Sequence, residues 1–207
     1  MEKRRNEKTL EYINGIGILC NIPAKNIKVL ITYNNIIDLY ILNEVKELSI
    51  LIDDKERKID MTINRYKYIN ENITIIEILD VDDIKSFIEI DKFINSKNYV
   101  KNNIIIISLD SEVNENLELQ DGKILSKDNE NYLCKISNIE SIKSEGVILL
   151  KKNLTLIGFI KGNNNKNEIE IIPMNIIINK INNAECASNI ILVSSLMRKE
   201  IILLIKY

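Results

Sequence analysis

Short apolar runs, broken by clusters of Asn, Asp, Lys and Gly, recur along most of this chain. They read as strands over Gly15–Ile22, Ile27–Thr32, Glu47–Ile52, Lys58–Ile63, Ile73–Leu79, Ile104–Leu109, Asn131–Ser137, Val147–Leu150, Leu154–Ile160 and Glu168–Ile172. Many short strands at regular spacing with turn residues between them predict an all-β sandwich or barrel. Alternation is clearest in Glu47–Ile52 and Lys58–Ile63, which predicts a hairpin turning over Asp53–Arg57. Ile84, Phe87 and Ile88 space a helical or irregular connection within Asp82–Ile94, between two halves of similar size. Pro173, followed by MetAsnIleIleIleAsnLysIle, predicts a helix that starts at the proline. Asn189–Tyr207 fits either a hairpin turning at ArgLysGlu or a buried helix.

Composition narrows the function classes. Hydrophobic residues at 45% fill a normal core, and charged residues at 28% solubilise it. The net charge of −2 is spread along the chain, without the clustered Lys and Arg of a nucleic-acid binder. The basic start, MetGluLysArgArgAsnGluLys, has no apolar segment behind it and does not read as a secretory signal. No apolar run is long enough for a membrane span. Cys20, Cys134 and Cys186 are odd in number and widely spaced, which suits a reducing compartment rather than a disulfide framework. The chain therefore reads as soluble and cytoplasmic. No zinc pair, phosphate loop or nucleotide fingerprint occurs, so no metal and no cofactor is expected.

Five segments, in order, resemble the trypsin-like serine peptidases of the intracellular kind that lack a signal sequence. Gly15-Ile-Gly-Ile-Leu-Cys20 resembles their opening strand. Lys28-Val-Leu-Ile-Thr-Tyr-Asn-Asn35 resembles the segment carrying the histidine, and places Asn35 on it. Asn70-Glu-Asn72-Ile-Thr-Ile-Ile-Glu-Ile78 resembles the aspartate segment, with Asn72 on the aspartate. Ile142-Lys-Ser144-Glu-Gly-Val-Ile148 resembles the nucleophile loop, with Ser144 on the serine. Leu156-Ile-Gly-Phe-Ile-Lys-Gly162 resembles the strand lining the substrate cleft. The resemblance implies two packed antiparallel β-barrels with a short C-terminal helix, and an extra apolar tail lies outside it. It divides the chain into a frayed 1–12, a first barrel over 13–95, a second barrel with helix over 96–181, and an extension over 182–207.

The same resemblance implies that the peptidase chemistry is lost. The chain contains no histidine at all. An asparagine amide has no useful basicity near neutral pH, so Asn35 cannot act as general base. Asn72 brings no negative charge, and aspartate-to-asparagine alone costs such an enzyme about 10⁴ in kcat. Ile142 stands where a glycine would allow the oxyanion turn, and Glu145 puts a carboxylate beside a developing oxyanion. Lys143 cannot serve Ser144, because neighbours on an extended chain point opposite ways.

Other candidates weigh less. Cys20 and Cys134 sit in strand patterns, where a buried inert thiol is expected. Asp80, Asp82, Asp83, Glu89 and Asp91 form an acidic run, but Lys85 stands where a calcium loop needs its glycine. Asn163–Asn167 reads as a solvated hairpin loop. The expected function is an inactive trypsin-like homologue that binds an extended peptide or protein in the cleft between barrels. The alternatives are an assembly protein that oligomerises through the apolar tail 189–207, and a noncanonical hydrolase that uses Ser144 with another base.

Overall fold

A computed structural model of the chain describes residues 11–13, 15–22, 26–52, 55–70, 72–90, 98–109, 117–128, 130–137, 145–164, 168–183 and 200–205. Its described elements are mostly strands, as the β-branched composition demands. The second half closes into a six-stranded barrel in the order β10 (Leu117–Lys127), β11 (Tyr132–Ile136), β14 (Glu168–Pro173), β13 (Leu156–Asn164), β12 (Gly146–Leu150) and β9 (Asn103–Leu109). Alternating positions fill its interior, among them Ile104, Ile106, Ile124, Cys134, Ile148, Ile160, Ile169 and Ile171. Closure removes the free edges that a curled sheet would otherwise expose.

The barrel's outer face is buried along one side. Val147, Phe159 and Ile172 stand opposite one another across three strands, and all three are buried. That face packs on the first half, where Tyr33 lies edge-on to Phe159 at 5.9 Å between ring centroids. Helix α2 (Met174–Asn183) starts just after Pro173, as expected, and buries Met174, Ile177, Ile178 and Ile181 at helical spacing.

The first half is two sheets rather than the expected second closed barrel. One has the order β6 (Lys67–Ile69), β7 (Ile73–Ile78), β3 (Ile27–Tyr33), β2 (Gly17–Ile22) and β8 (Ile88–Glu89). The other has the order β1 (Glu11–Ile13), β15 (Glu200–Ile205), β4 (Glu47–Ile52) and β5 (Lys55–Asp60). Among the described residues no ladder joins β5 to β6. A side chain bridges that seam instead. The buried Arg65 guanidinium donates to the Asp60 carbonyl of β5 at 2.7 Å and to the Glu77 carbonyl of β7 at 2.8 Å. It also forks onto the buried Asp82 carboxylate at 2.8 and 3.1 Å. Asp82 belongs to a 3₁₀ turn, Asp80–Asp82, and accepts the Leu79 amide at 2.7 Å. Leu48, Ile50 and Ile59 of one sheet and Leu19, Leu30 and Ile75 of the other join a single buried cluster.

Several boundaries differ from expectation. Strand β5 begins at Lys55, three residues before the expected Lys58, because Ile52 pairs with Lys55 and only two residues connect the hairpin. This register sets Ile59, the one buried side chain of β5, opposite Leu48. The long β10 gives almost no apolar signal, since its buried positions include Gln120 as well as Ile124. Strand β13 runs on to Asn164, paired with Glu168, so the expected Asn163–Asn167 loop shortens to 165–167, outside the described residues. Within the expected 182–207 extension, Glu200–Ile205 is neither helix nor half of a local hairpin. It lies parallel between β1 and β4, with both of its edges paired. A short helix, α1 (Leu39–Glu44), follows the Asn35 turn and is capped by Asp38, whose carboxylate accepts the Ile41 amide at 2.8 Å.

Candidate functional site

Strand β3 delivers the Asn35 segment to the junction between the sheets and the barrel. Beyond Tyr33 the chain turns tightly, and the amides of Ile36 and Ile37 both donate to the Tyr33 carbonyl at 3.1 Å. Ile36 and Ile37 are buried, so the turn is anchored from below while the Asn35 side chain stays exposed. Gly15 is needed beneath it, since a Cβ there would lie 2.3 Å from Ile36 Cδ1. Asn35 Nδ2 reaches across and donates to Glu145 Oε1.

Asn72 is positioned through backbone. The Asn70 carboxamide oxygen accepts the amides of Asn72 at 2.9 Å and Ile73 at 2.8 Å, which shapes the turn entering β7. The Asn72 carbonyl then accepts the Asn34 amide at 3.1 Å, and Asn34 Nδ2 donates to the Asn70 carbonyl at 2.9 Å. These bonds hold the Asn35 turn and the Asn72 turn side by side. No described hydrogen bond joins the two side chains, Asn35 and Asn72, to each other. Ser144 lies outside the described residues, as do Ile142 and Lys143. Its neighbour Glu145 is the residue that touches Asn35.

Tyr33 ties this junction to the barrel, a role that sequence reading missed. Its hydroxyl is buried and accepts the Gly146 amide at 3.0 Å. It lies 2.7 Å from the Gly146 carbonyl and 3.0 Å from the Ile160 carbonyl, and shares its single proton between them. The ladder between β12 and β13 ends at Val147 and Phe159, so the phenol stands where the next cross-strand bonds would form. Burial pushes the Tyr33 hydroxyl far above its ordinary pKa, and the nearby Glu145 charge pushes it further. It is a fixed neutral hydrogen-bonding group. The signal was unreadable in sequence because a tyrosine ending an apolar strand looks like core, while its partners lie 113 and 127 residues away.

The remaining polar candidates have found other work. Asp80 pairs with Lys28 at 2.9 Å, Asp82 with Arg65 at 2.8 Å, and Asp83 with Arg57 and Lys85 at 3.3 and 3.2 Å. The Glu89 side chain and Asp91 lie outside the described residues. No cluster of three metal-ligating side chains occurs among the described residues. Cys20 and Cys134 are both buried, and burial raises both thiols, that of Cys134 to about 12. A thiol so protonated at neutral pH is no nucleophile. No described helix is long and apolar enough to cross a membrane.

No protein-family model matches the sequence, and no curated protein matches it. Among solved structures, the chain is similar to catalytically active tobacco etch virus protease complexed with product, at 10% identity and a TM-score of 0.48, over 81% of this chain and 70% of that one. It is similar to tobacco vein mottling virus protease at 9% identity and a TM-score of 0.45, over 83% of this chain and 76% of that one.

Proposed function

We propose that this protein is a trypsin-like peptidase homologue that binds an extended peptide or protein segment and does not cleave it. The observation that carries the proposal is the Asn35–Glu145 contact. It sets the residue assigned to the base position against Glu145, the sequence neighbour of Ser144, and supports the reading because it is an amide donor tied to a carboxylate. This pair supplies no neutral base to take a serine proton. Asn72, held through its carbonyl, supplies no charge behind it.

Binding needs only backbone. Strand β13 continues past Phe159, its last residue paired with β12, so from Lys161 onward the described ladder covers it on the β14 side alone. A Cβ added at Gly162 would meet no atom within 4 Å, so the face of the sheet there has room for a side chain of an added strand. An extended segment pairing with Lys161–Asn164 would add a strand by main-chain hydrogen bonds, with no call on the triad positions.

The test has two arms. A fluorophosphonate probe should leave the protein unlabelled; labelling that disappears in Ser144→Ala would overturn the inactive reading and favour the noncanonical hydrolase. Peptides selected on the protein from a displayed random library should lose binding when N-methylated at every second residue. Binders indifferent to N-methylation would refute strand addition.

A further inference from the structure

Glycine weakens a strand, because it brings no side chain to pack and loses more backbone freedom on folding than any other residue. The fold accounts for Gly15, Gly122, Gly146 and Gly158, where a Cβ would meet a neighbouring atom at 3.0 Å or closer. It does not account for Gly162. A Cβ there meets nothing within 4 Å, and no described glycine has a positive φ, so an ordinary L-residue fits both the space and the backbone. The adjacent β-bulge gives no reason either. Ile160 pairs with Ile171 and Gly162 with Glu170, which leaves Lys161 as the extra residue, and neither Lys161 nor Gly162 is left-handed.

The vacant position lies on the outside of the barrel, at the edge of β13 that β12 has left. Glu170, set between the interior Ile169 and Ile171, faces outward, and directly paired residues share a face. Gly162 therefore heads a row that runs through Glu170 to the half-buried Leu133. Lys161 Nζ meets Glu170 Oε2 at 3.3 Å, so the ammonium of the bulge residue stands on this face as well. The two charges balance. A charged side chain laid over Gly162 would gain from one member of the pair and lose to the other, and a small one would leave the glycine backbone uncovered. A flat ring covers the backbone, packs on the stems of Lys161 and Glu170, and turns its face to the ammonium. An aromatic residue across from an edge glycine is also a stabilising pair within sheets.

We propose that Gly162 selects an aromatic side chain on the bound segment, at the position directly opposite it. This rests on the strand-addition reading above and adds the chemistry of the partner: an extended segment carrying Phe, Tyr or Trp between residues that bond through backbone alone.

Random displayed peptides selected on the immobilised full chain should share one aromatic residue at a constant distance from the positions whose N-methylation abolishes binding. Exchanging it for Ala, Lys or Glu should weaken binding roughly three- to tenfold. Gly162→Val fills the vacant position. It should melt no lower than the parent, lose the same factor for aromatic peptides, and bind their alanine versions as the parent does; Gly162→Ala should fall between. Binding that needs backbone amides but ignores the aromatic, or is unchanged in Gly162→Val, would overturn the aromatic site and leave strand addition standing. A Gly162→Val protein clearly less stable than the parent would overturn it too, since the fold itself would then need the glycine. Binders indifferent to N-methylation, or a library that yields none, would remove strand addition and this proposal with it.

Discussion

Replacing Tyr33 by phenylalanine isolates the hydroxyl that joins the two halves. The ring keeps its edge-on packing against Phe159, 77° between planes, so almost no apolar burial is lost. What changes is hydrogen bonding. Gly146 loses the acceptor for its amide, and the carbonyls of Gly146 and Ile160 lose the proton they share. The N–H and C=O of one strand residue point to the same side, so both Gly146 groups face the gap left beside β13. Each buried group stripped of its partner costs about 1–3 kcal/mol, and since one proton served both carbonyls the total is about 2–4 kcal/mol. That is roughly a 30- to 700-fold shift in the folding equilibrium. The chain has no tryptophan, so urea unfolding is best followed by circular dichroism. The midpoint should fall with an unchanged slope, and the Gly146 amide should exchange faster with solvent. A loss below about 0.5 kcal/mol, with Gly146 exchange unchanged, would refute the reasoning, because surface-like substitutions already vary by that much.

Arg65→Met should destabilise by about 3–5 kcal/mol, since it leaves the Asp82 carboxylate buried without its cation. Adding Asp82→Leu should recover part of that loss; a single variant within 1 kcal/mol of the parent, on the scale of ordinary point mutations, would show that the guanidinium does not hold the seam. Iodoacetamide at pH 8 should spare Cys20 and Cys134 in the native protein and modify both in urea, read by peptide mass mapping. Modification of either in the native state would contradict their burial. Both thiols are raised from an ordinary 9.0, so the folded state holds their protons more tightly than the unfolded chain does. Their contribution is complete below pH 9 and falls above it by about 1.4 kcal/mol per pH unit for each thiol. Stability that stays flat from pH 9 to 11 would exclude this linkage.

Strand identity was written in local chemistry. Gly17–Ile22, Glu47–Ile52 and Ile73–Ile78 appear close to where apolar runs bounded by turn residues placed them, because β-branched runs this short suit a sheet better than a helix. Helix α2 was legible for the same reason, its apolar residues recurring at helical spacing behind a proline. The absence of any histidine was likewise visible as bare composition.

Closure and contact belonged to the tertiary structure. Whether a row of strands curls into a barrel depends on pairings between residues far apart in the chain. The C-terminal strand Glu200–Ile205 inserts between Glu11–Ile13 and β4, and nothing in its own residues names those neighbours. The seam of the first half is bridged by Arg65, which in sequence is one more cation in a polar turn. The candidate site divides in the same way. Its asparagines could be read one by one, but only the fold sets Asn35 against Glu145 and turns the Tyr33 hydroxyl into the link between two halves. Hydrophobic periodicity is a local property of the chain, whereas the partner of a buried polar atom is chosen by whatever the fold brings within 3 Å of it.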